Sequence, residues 1–197
     1  METKADIRQR ILGRRNALSP VEKKRAEEKI TETLLNLEVY GQTAVVLGFV
    51  GYGSEPDTFP FLECAVRDGK KVYCPVSKQD GTMEFYRYTK KNDLSEGYKK
   101  IPEPSEKSEK FEKKILGNEK SFHTFMLMPG VAFDMSRHRI GYGKGFYDRY
   151  LADYRPDYIA AVCFECQIVE ALPAEEFDVM PDLIVTEKGI IGRGKDE

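Results

Sequence analysis

The sequence predicts an α/β fold: a three-layer, mainly parallel Rossmann-like sheet with helices on both faces and an N-terminal helical pair. The first observation is that apolar runs of strand length alternate along the chain with helical patterns, as they do when parallel strands are covered on both faces. The second is the length of 197 residues, which suits one domain with a substantial core. We therefore expect a single domain over residues 1–197.

Residues 3–17 and 20–37 are predicted to form the N-terminal helical pair. Ser19 is placed to cap the second helix, Pro20 takes its first position, and Glu22 completes the pattern of a capping box. Two more helices are expected over residues 57–68 and 145–154.

The predicted strands are short apolar runs bounded by turn residues. They cover residues 44–50, 71–76, 82–88, 125–133, 158–164 and 183–186. Asp80 and Gly81 form a turn between the second and third runs, which indicates a hairpin. Residues 89–120 are rich in Lys, Glu, Ser and Pro, and this composition predicts a mobile insertion within the domain.

Charge and hydropathy exclude several classes of partner. The chain has 31 basic and 33 acidic residues, a net charge of −2, so no overall basic field attracts nucleic acid. No apolar run approaches the length of a membrane span. The opening METKADIRQRILGRR lacks the apolar core of a secretory signal, so a cytoplasmic location is expected. Small molecules are the expected partners, and the sequence identifies no protein partner.

The cysteines and histidines indicate no metal or redox site. Cys163 and Cys166 form a C-x-x-C pair, but no second close pair accompanies them, so we expect reduced thiols in or near a core. His123 and His138 match no zinc or catalytic pattern.

A glycine-rich turn between an apolar strand and a helix is the main candidate site. Gly141, Gly143 and Gly145 alternate, so the backbone can reach positive φ and present N–H groups to an anion. Arg139 and Lys144 add cationic donors. Such a turn lies where α/β proteins bind phosphate. The spacing matches neither a P-loop nor a dinucleotide fingerprint, and an ordinary turn followed by a helix-capping aspartate remains the alternative.

Acidic residues near this turn raise the question of a metal. Asp148 falls in the first turn of the predicted helix, where a carboxylate would repel a bound anion. Mg²⁺ resolves the conflict, since it takes one or two carboxylates together with water and phosphate oxygens. Asp178 or Asp182, which precede the last strand, could supply the second carboxylate, or each could simply form a turn.

Two further groups have both a structural and a functional interpretation. Lys4, Arg8 and Arg15 fall within about 40° of one another on the first helix, either as a solvated stripe or as a clamp on polyphosphate. Asp57 is explained as a helix cap. Glu55, directly before Pro56, is a poorer cap, so a carboxylate facing the donor-rich edge of a ligand is the alternative.

In sequence order these motifs resemble the 5-formyltetrahydrofolate cyclo-ligase family, also called 5,10-methenyltetrahydrofolate synthetase. The likeness covers nearly the whole chain, through KADIRQRIL, EPDT, KIPEP, MPGVAFD, RIGYGKGFYDRYL and QIVEALPAEEFDVMPD. The most specific part is RIGYGKGFYDRYL together with the preceding MPGVAFD. The chain departs from the family at Arg137, a turn position usually held by glycine, and at Phe177, usually histidine.

The resemblance implies ATP as co-substrate and Mg²⁺ as metal, with Arg139 and Lys144 as catalytic residues and Asp148 and Asp178 as metal ligands. Glu55 is similar to the acid that binds the pterin of the folate. The implied ATP-binding residues are Lys4, Ala5, Asp6, Ile7, Arg8, Arg139, Ile140, Gly141, Tyr142, Gly143, Lys144, Gly145, Phe146 and Tyr147. The implied folate-binding residues are Val50, Glu55, Tyr142, Gly143, Lys144, Gly145 and Phe146.

The implied reaction is the ATP-dependent cyclisation of 5-formyltetrahydrofolate to 5,10-methenyltetrahydrofolate, with release of ADP and phosphate through a phosphorylated formyl intermediate. A site of cationic donors, backbone N–H groups and a metal suits phosphoryl transfer, which requires no nucleophilic side chain. Because a fold does not fix a function, two alternatives stay open: a sugar-phosphate isomerase or hydrolase, and a nonenzymatic nucleotide-binding module on a similar fold.

Overall fold

The computed structural model describes residues 2–112, 123–173, 175 and 178–192. Its helices are α1 Lys4–Asn16, α2 Pro20–Leu35, α3 Glu38–Gln42, α4 Phe59–Arg67 and α5 Phe146–Asp153. Its strands are β1 Thr43–Leu47, β2 Lys71–Ser77, β3 Met83–Tyr88, β4 Ser95–Glu96, β5 Pro102–Glu103, β6 His123–Met128, β7 Ala132–Asp134, β8 Arg139–Ile140, β9 Tyr158–Val162, β10 Ile168–Val169, β11 Leu183–Thr186 and β12 Gly189–Gly192. None of the helices within the described ranges is long and apolar enough to cross a membrane.

The central sheet confirms the predicted α/β fold. Within the described residues it has seven strands in the order β12-β11-β9-β6-β1-β2-β3. All neighbouring pairs from β2 to β11 are parallel, and only the edge strands β3 and β12 are antiparallel. Alternate residues serve two cores: Val46 and Phe125 pack with α2, α3 and α4, whereas Leu47 and Met126 pack with α5. Helices therefore cover both faces.

The N-terminal helical pair is also confirmed. The Ser19 hydroxyl accepts from the Glu22 N–H at 3.2 Å, the Glu22 carboxylate accepts from the Ser19 N–H at 2.9 Å, and Pro20 occupies the first turn. A second capping box, between Thr3 and Asp6, begins α1. These contacts fix both helix starts.

The expectation of one strand over residues 125–133 is wrong, because Pro129 and Gly130 divide the apolar run. β6 ends at Met128, and β7 belongs to a separate three-stranded sheet with the order β10-β7-β8. A Cβ on Gly130 would lie 2.4 Å from the Phe133 ring, so the chain turns where only glycine fits. The small sheet carries β8, the strand that leads into the glycine-rich turn.

Arg137 lies in the turn between β7 and β8 with φ of 71°, the left-handed conformation that glycine adopts most easily. Its guanidinium donates to the carbonyls of Asp182 at 2.9 Å and Pro181 at 3.2 Å. The departure from glycine is thus accompanied by contacts that glycine could not make. Phe177, the other departure, lies outside the described residues.

Residues 89–112 contain two short 3-10 helices, Lys91–Asp93 and Tyr98–Lys100, and the antiparallel pair of β4 and β5. Phe111 is buried, and its N–H donates to the Phe85 carbonyl at the edge of β3 at 2.8 Å. The rest of the predicted insertion, residues 113–120, lies outside the described residues. Its mobility stays a prediction.

Candidate active site

A cavity of about 620 Å³ lies at the carboxyl ends of β1, β2 and β6. Parallel α/β sheets bind ligands at this edge. The glycine-rich turn forms one wall, with every residue from 139 to 148 facing the cavity. Lys4, Arg8, Val50, Glu55 and Asp178 also line it, so the structure brings together residues that are far apart in the sequence.

Some predicted residues do not line the cavity. The Asp6 carboxylate is bound in the capping box of Thr3, and Ile7 is buried against the small sheet. Ala5 is not part of the wall either, and the role of Ala5, Asp6 and Ile7 in binding ATP stays a prediction. Asp182 accepts from the Ile159 N–H at 2.8 Å, so it secures β9 and is not the acid beside Asp148.

The glycine-rich turn has the geometry of an anion site. Gly143 and Gly145 have φ of 84° and 64°, whereas Gly141 needs no positive φ and is instead approached by Arg139. The Arg8 Nε donates to the Gly141 carbonyl at 2.7 Å, which joins α1 to the turn. Within the described residues, the backbone N–H groups of 141–145 have no acceptor in the protein, and such unpartnered donors suit an anion.

We call the part of the cavity formed by Lys4, Arg139, Asp148 and Asp178 the ion-paired end. The Arg139 Nη2 lies 2.5 Å from the Asp148 Oδ1, and the Lys4 Nζ lies 2.8 Å from the Asp178 Oδ2. Partial burial is the largest single influence on Asp178 and opposes its ionisation. The bonds from Lys4 and the Glu175 N–H, with the charges of Lys4 and Arg139, together outweigh it and lower the pKa of this carboxyl. Asp148 makes no side-chain cap on α5, which disfavours the helix-cap interpretation.

The ion-paired end fits Mg²⁺ through Asp148 and Asp178. Among the residues that the structure describes, no three metal-ligating side chains cluster. Magnesium sites that include substrate phosphate need only one or two carboxylates, and both aspartates face the same cavity. Their present partners are cations, so a metal would compete with Arg139 and Lys4 for them.

Two further carboxylates of the cavity wall, Glu55 and Glu103, are buried, and we call the part of the wall that they form the buried-acid end. Glu55 is 8% exposed, and its Oε2 accepts from the Tyr52 N–H at 2.9 Å. Burial raises the pKa of Glu55, although hydrogen bonds from Tyr52 and Tyr142 oppose the change. Val50 is buried beside it and supplies apolar wall.

Sequence reasoning missed the residues 95–103, which we call the strap. Tyr98, Lys99, Ile101, Pro102 and Glu103 all face the cavity. The only signal was the compact IPEP, which stood out from its polar surroundings and recurred in the family resemblance without a role.

The strap is held by a buried carboxylate and an aromatic contact. Glu103 is 4% exposed and accepts from the N–H groups of Ser77 at 3.1 Å and Tyr98 at 3.3 Å. Burial raises the pKa of Glu103. The Tyr98 ring meets Phe146 edge-on at 6.2 Å between centroids. The strap thereby contacts both β2 and the start of α5.

Neither the cysteine pair nor His138 contributes to the cavity. Cys163 is buried beside Phe133, and burial raises the pKa of its thiol and that of Cys166. His138 Nδ1 lies 2.9 Å from Asp134 Oδ2 and helps to close the turn that contains Arg137. The side chain of His123 is outside the described part of the chain.

Comparisons with known proteins identify relatives of the chain. A model of the 5-formyltetrahydrofolate cyclo-ligase family matches residues 1–187. The 5-formyltetrahydrofolate cyclo-ligase of Escherichia coli K12 is 31% identical over 180 residues, which cover 89% of this chain and 96% of that protein. The enzyme of the same name from Mus musculus is 26% identical over 194 residues, 93% of this chain and 91% of that protein.

A solved structure shares the fold. The NMR structure of Aquifex aeolicus 5,10-methenyltetrahydrofolate synthetase superimposes with a TM-score of 0.81 at 28% identity and covers 98% of this chain and 95% of that one.

Proposed function

The chain belongs to the 5-formyltetrahydrofolate cyclo-ligase family, and from that premise we propose that its cavity cyclises 5-formyltetrahydrofolate to 5,10-methenyltetrahydrofolate at the expense of ATP. One observation supports this most: a single cavity joins a cationic glycine-rich turn to a buried carboxylate, Glu55. The first suits a polyphosphate, and the second suits a ring edge rich in N–H donors.

The ion-paired end is the proposed ATP site. Arg8, Arg139 and Lys144 supply positive charge beside the unpartnered N–H groups of the turn, and these donors would hold the phosphates. Asp148 and Asp178 would hold Mg²⁺, which supplies neutralising charge to the phosphate oxygens when bound.

The buried-acid end is the proposed folate site. The two carboxylate oxygens of Glu55 match the amino group and the ring N–H of the pterin. Val50 and the strap also line the cavity, and their apolar side chains would pack against the ring. The residues that border both ends, 142–146, would lie between the formyl group and the γ-phosphate. The two substrates would thus meet at the glycine-rich turn.

The proposed chemistry takes place in two steps. The formyl oxygen attacks the γ-phosphorus, the bond to the bridging oxygen breaks, and ADP leaves with those electrons. The neighbouring amine then attacks the activated formyl carbon, loses its proton, and expels phosphate as the ring closes. Arg139 and Lys144 stabilise the charge on the transferring phosphoryl group, and the cavity aligns the reacting atoms.

The test is turnover of purified protein with 5-formyltetrahydrofolate and MgATP, followed by the near-ultraviolet absorbance of the methenyl product. Product is expected only when ATP and Mg²⁺ are both present. Binding of MgATP without product would favour a nucleotide-binding module, and turnover of a sugar phosphate without ATP would favour an isomerase or hydrolase.

An isotope experiment tests the phosphorylated intermediate separately. With heavy oxygen in the formyl group, the released phosphate should carry the label, because the formyl oxygen leaves bonded to phosphorus. Unlabelled phosphate would refute the intermediate while leaving the overall reaction intact. A cytoplasmic location and the absence of nucleic-acid and membrane partners remain predictions from composition.

A further inference from the structure

Arg15 is a buried charge that the proposed reaction does not yet use. It is 4% exposed, it does not line the cavity, and within the described ranges it forms no ion pair with a carboxylate. Its Nη1 is buried without a hydrogen-bond partner among those residues. Burying a guanidinium is unfavourable unless neighbouring groups compensate its charge, so we expect groups beside Arg15 to compensate it.

The compensation comes through two hydroxyl groups beside Glu55. Arg15 donates from Nε to the Ser54 Oγ at 2.9 Å and from Nη2 to the Tyr142 hydroxyl at 2.8 Å. The Tyr142 hydroxyl is also close enough to the Glu55 carboxylate to lower its pKa. Since its oxygen accepts from Arg15, its proton is free for Glu55. A buried cation and a buried anion are therefore linked through one phenol.

We propose that Arg15 is a positioning residue for the folate ring: acting through Tyr142 and Ser54, it compensates the charge of Glu55 and fixes the direction of its carboxylate. The inference rests on the proposed function, in which Glu55 binds the donor edge of the pterin. It adds a residue that touches neither substrate. On this proposal α1 supports both parts of the site: Arg15 acts on Glu55, and Arg8 contacts the glycine-rich turn.

The ionisation of Glu55 is the property that Arg15 would control. Burial raises the pKa of Glu55; the Tyr52 N–H, the Tyr142 hydroxyl and the charges of Arg15 and Lys23 oppose that rise. The other titratable group facing it is Tyr147, whose own pKa burial raises. Without Arg15, Glu55 would take up a proton at higher pH. Protonated Glu55 would present an O–H donor to the N–H donors of the pterin, so folate binding would weaken.

The experiment measures KM for 5-formyltetrahydrofolate and for ATP as a function of pH, with calorimetric titration of folate. We expect Arg15→Met and Tyr142→Phe each to raise the KM for folate about tenfold at neutral pH and to move the acid limb of folate binding to higher pH. For Arg15→Met the KM for ATP should change less than twofold, because Arg15 does not line the cavity. Arg15→Lys should restore part of the affinity because it keeps the charge.

Three controls separate the possible results. Arg14→Met removes an exposed arginine from the adjacent position and should leave every parameter unchanged. Glu55→Gln should lose folate affinity and its acid limb; if it does not, the proposed folate site fails instead. The Arg15→Met/Tyr142→Phe double variant should cost no more than one single variant. If Arg15→Met does not fold, the folate KM and pH profile of Arg15→Lys and Tyr142→Phe test the proposal in its place.

The inference is overturned if the folding-competent variants keep the wild-type KM for folate and its pH profile while Glu55→Gln loses them. It is equally overturned if the KM for ATP rises as much as that for folate, because Arg15 would then only support the turn.

Discussion

The carboxylates at the two ends of the cavity differ in whether a cation lies within hydrogen-bond distance. At the ion-paired end, Asp148 and Asp178 each lie within hydrogen-bond distance of a cation. At the buried-acid end, Glu55 and Glu103 are satisfied by backbone N–H groups. Accordingly the pKa of Asp178 is lowered, whereas burial raises the pKa of Glu55 and Glu103.

The difference suits the two substrates of the proposed reaction. Asp148 and Asp178, the proposed metal ligands, are partly exposed, so their partners could exchange with water at low cost. Glu55, the proposed partner of the pterin edge, is instead buried and accepts from a neutral backbone N–H. An error in its orientation would leave a donor of the ring unpaired. Substitutions at the ion-paired end should therefore change the KM for ATP, and substitutions at the buried-acid end should change the KM for folate.

The largest expected effect is that of Asp148→Asn. Loss of this carboxylate should lower kcat at least about a hundredfold, the scale of one lost electrostatic contact to a transition state, and should raise the Mg²⁺ concentration needed for half-maximal turnover. Glu28→Gln, an exposed acid on α2, should change neither value. Unchanged metal dependence in Asp148→Asn would remove this residue from the metal site.

Lys144→Ala tests whether the glycine-rich turn belongs to one end. Lys144 is exposed and has no acidic partner among the described residues, so its charge is available to phosphate. The KM for ATP should rise about tenfold or more, with a smaller rise for folate. Lys24→Ala on α2 is the matched control. Equal losses for both substrates would show that the turn serves the two ends jointly.

Gly97→Ala tests the strap at the buried-acid end. A Cβ on Gly97 would lie 2.0 Å from the Glu103 Oε2, so the carboxylate must move and release Tyr98 or Ser77. We expect the KM for folate to rise about fivefold, the scale of one hydrogen bond, with little change for ATP. Gly13→Ala meets no atom within 4 Å and should instead stabilise α1. An unchanged folate KM would separate the strap from the folate site.

The smallest effects are on the pH dependence of the free energy of unfolding. The pKa of Asp178 is below its ordinary 3.8, so its stabilising contribution is present above that pH and is lost as the pH falls through the lower folded value. The pKa of Glu55 is above its ordinary 4.5, so stability falls as the pH rises from 4.5 towards the raised value.

Urea denaturation over a series of pH values checks these signs. Asp178→Asn should remove part of the loss of stability in acid, and Glu55→Gln should remove part of the loss on raising the pH. A change of the same sign in both variants would contradict the contrast between the two ends.

Much of the fold could be predicted because its signals are local. The capping box of Ser19 and Glu22 and the apolar strands can each be recognised from a few neighbouring residues. The turn at Pro129 and Gly130 was equally visible, but the apolar residues on both sides favoured one strand. The strand bounds show the break, and its cause is tertiary, since a Cβ at position 130 would collide with the Phe133 ring.

The site was predictable only in part, for a different reason. The glycine-rich turn and Glu55 stand out by residue type, and both line the cavity. Arg15 was grouped with Lys4 and Arg8 by helical spacing, yet it reaches Ser54 and Tyr142 instead. The strap was missed because its contacts, from Glu103 to Ser77 and from Tyr98 to Phe146, join segments that no local pattern relates.

The bond from Lys4 to Asp178 joins residues 174 positions apart. During synthesis, Lys4 on the first helix therefore cannot form this bond until almost the whole chain has been made. The strands β1, β2, β6 and β9 can pair earlier, since each precedes Asp178. A nascent chain could therefore form most of its central sheet while the ion-paired end is still incomplete. The proposed nucleotide site would then be completed only when synthesis is nearly finished.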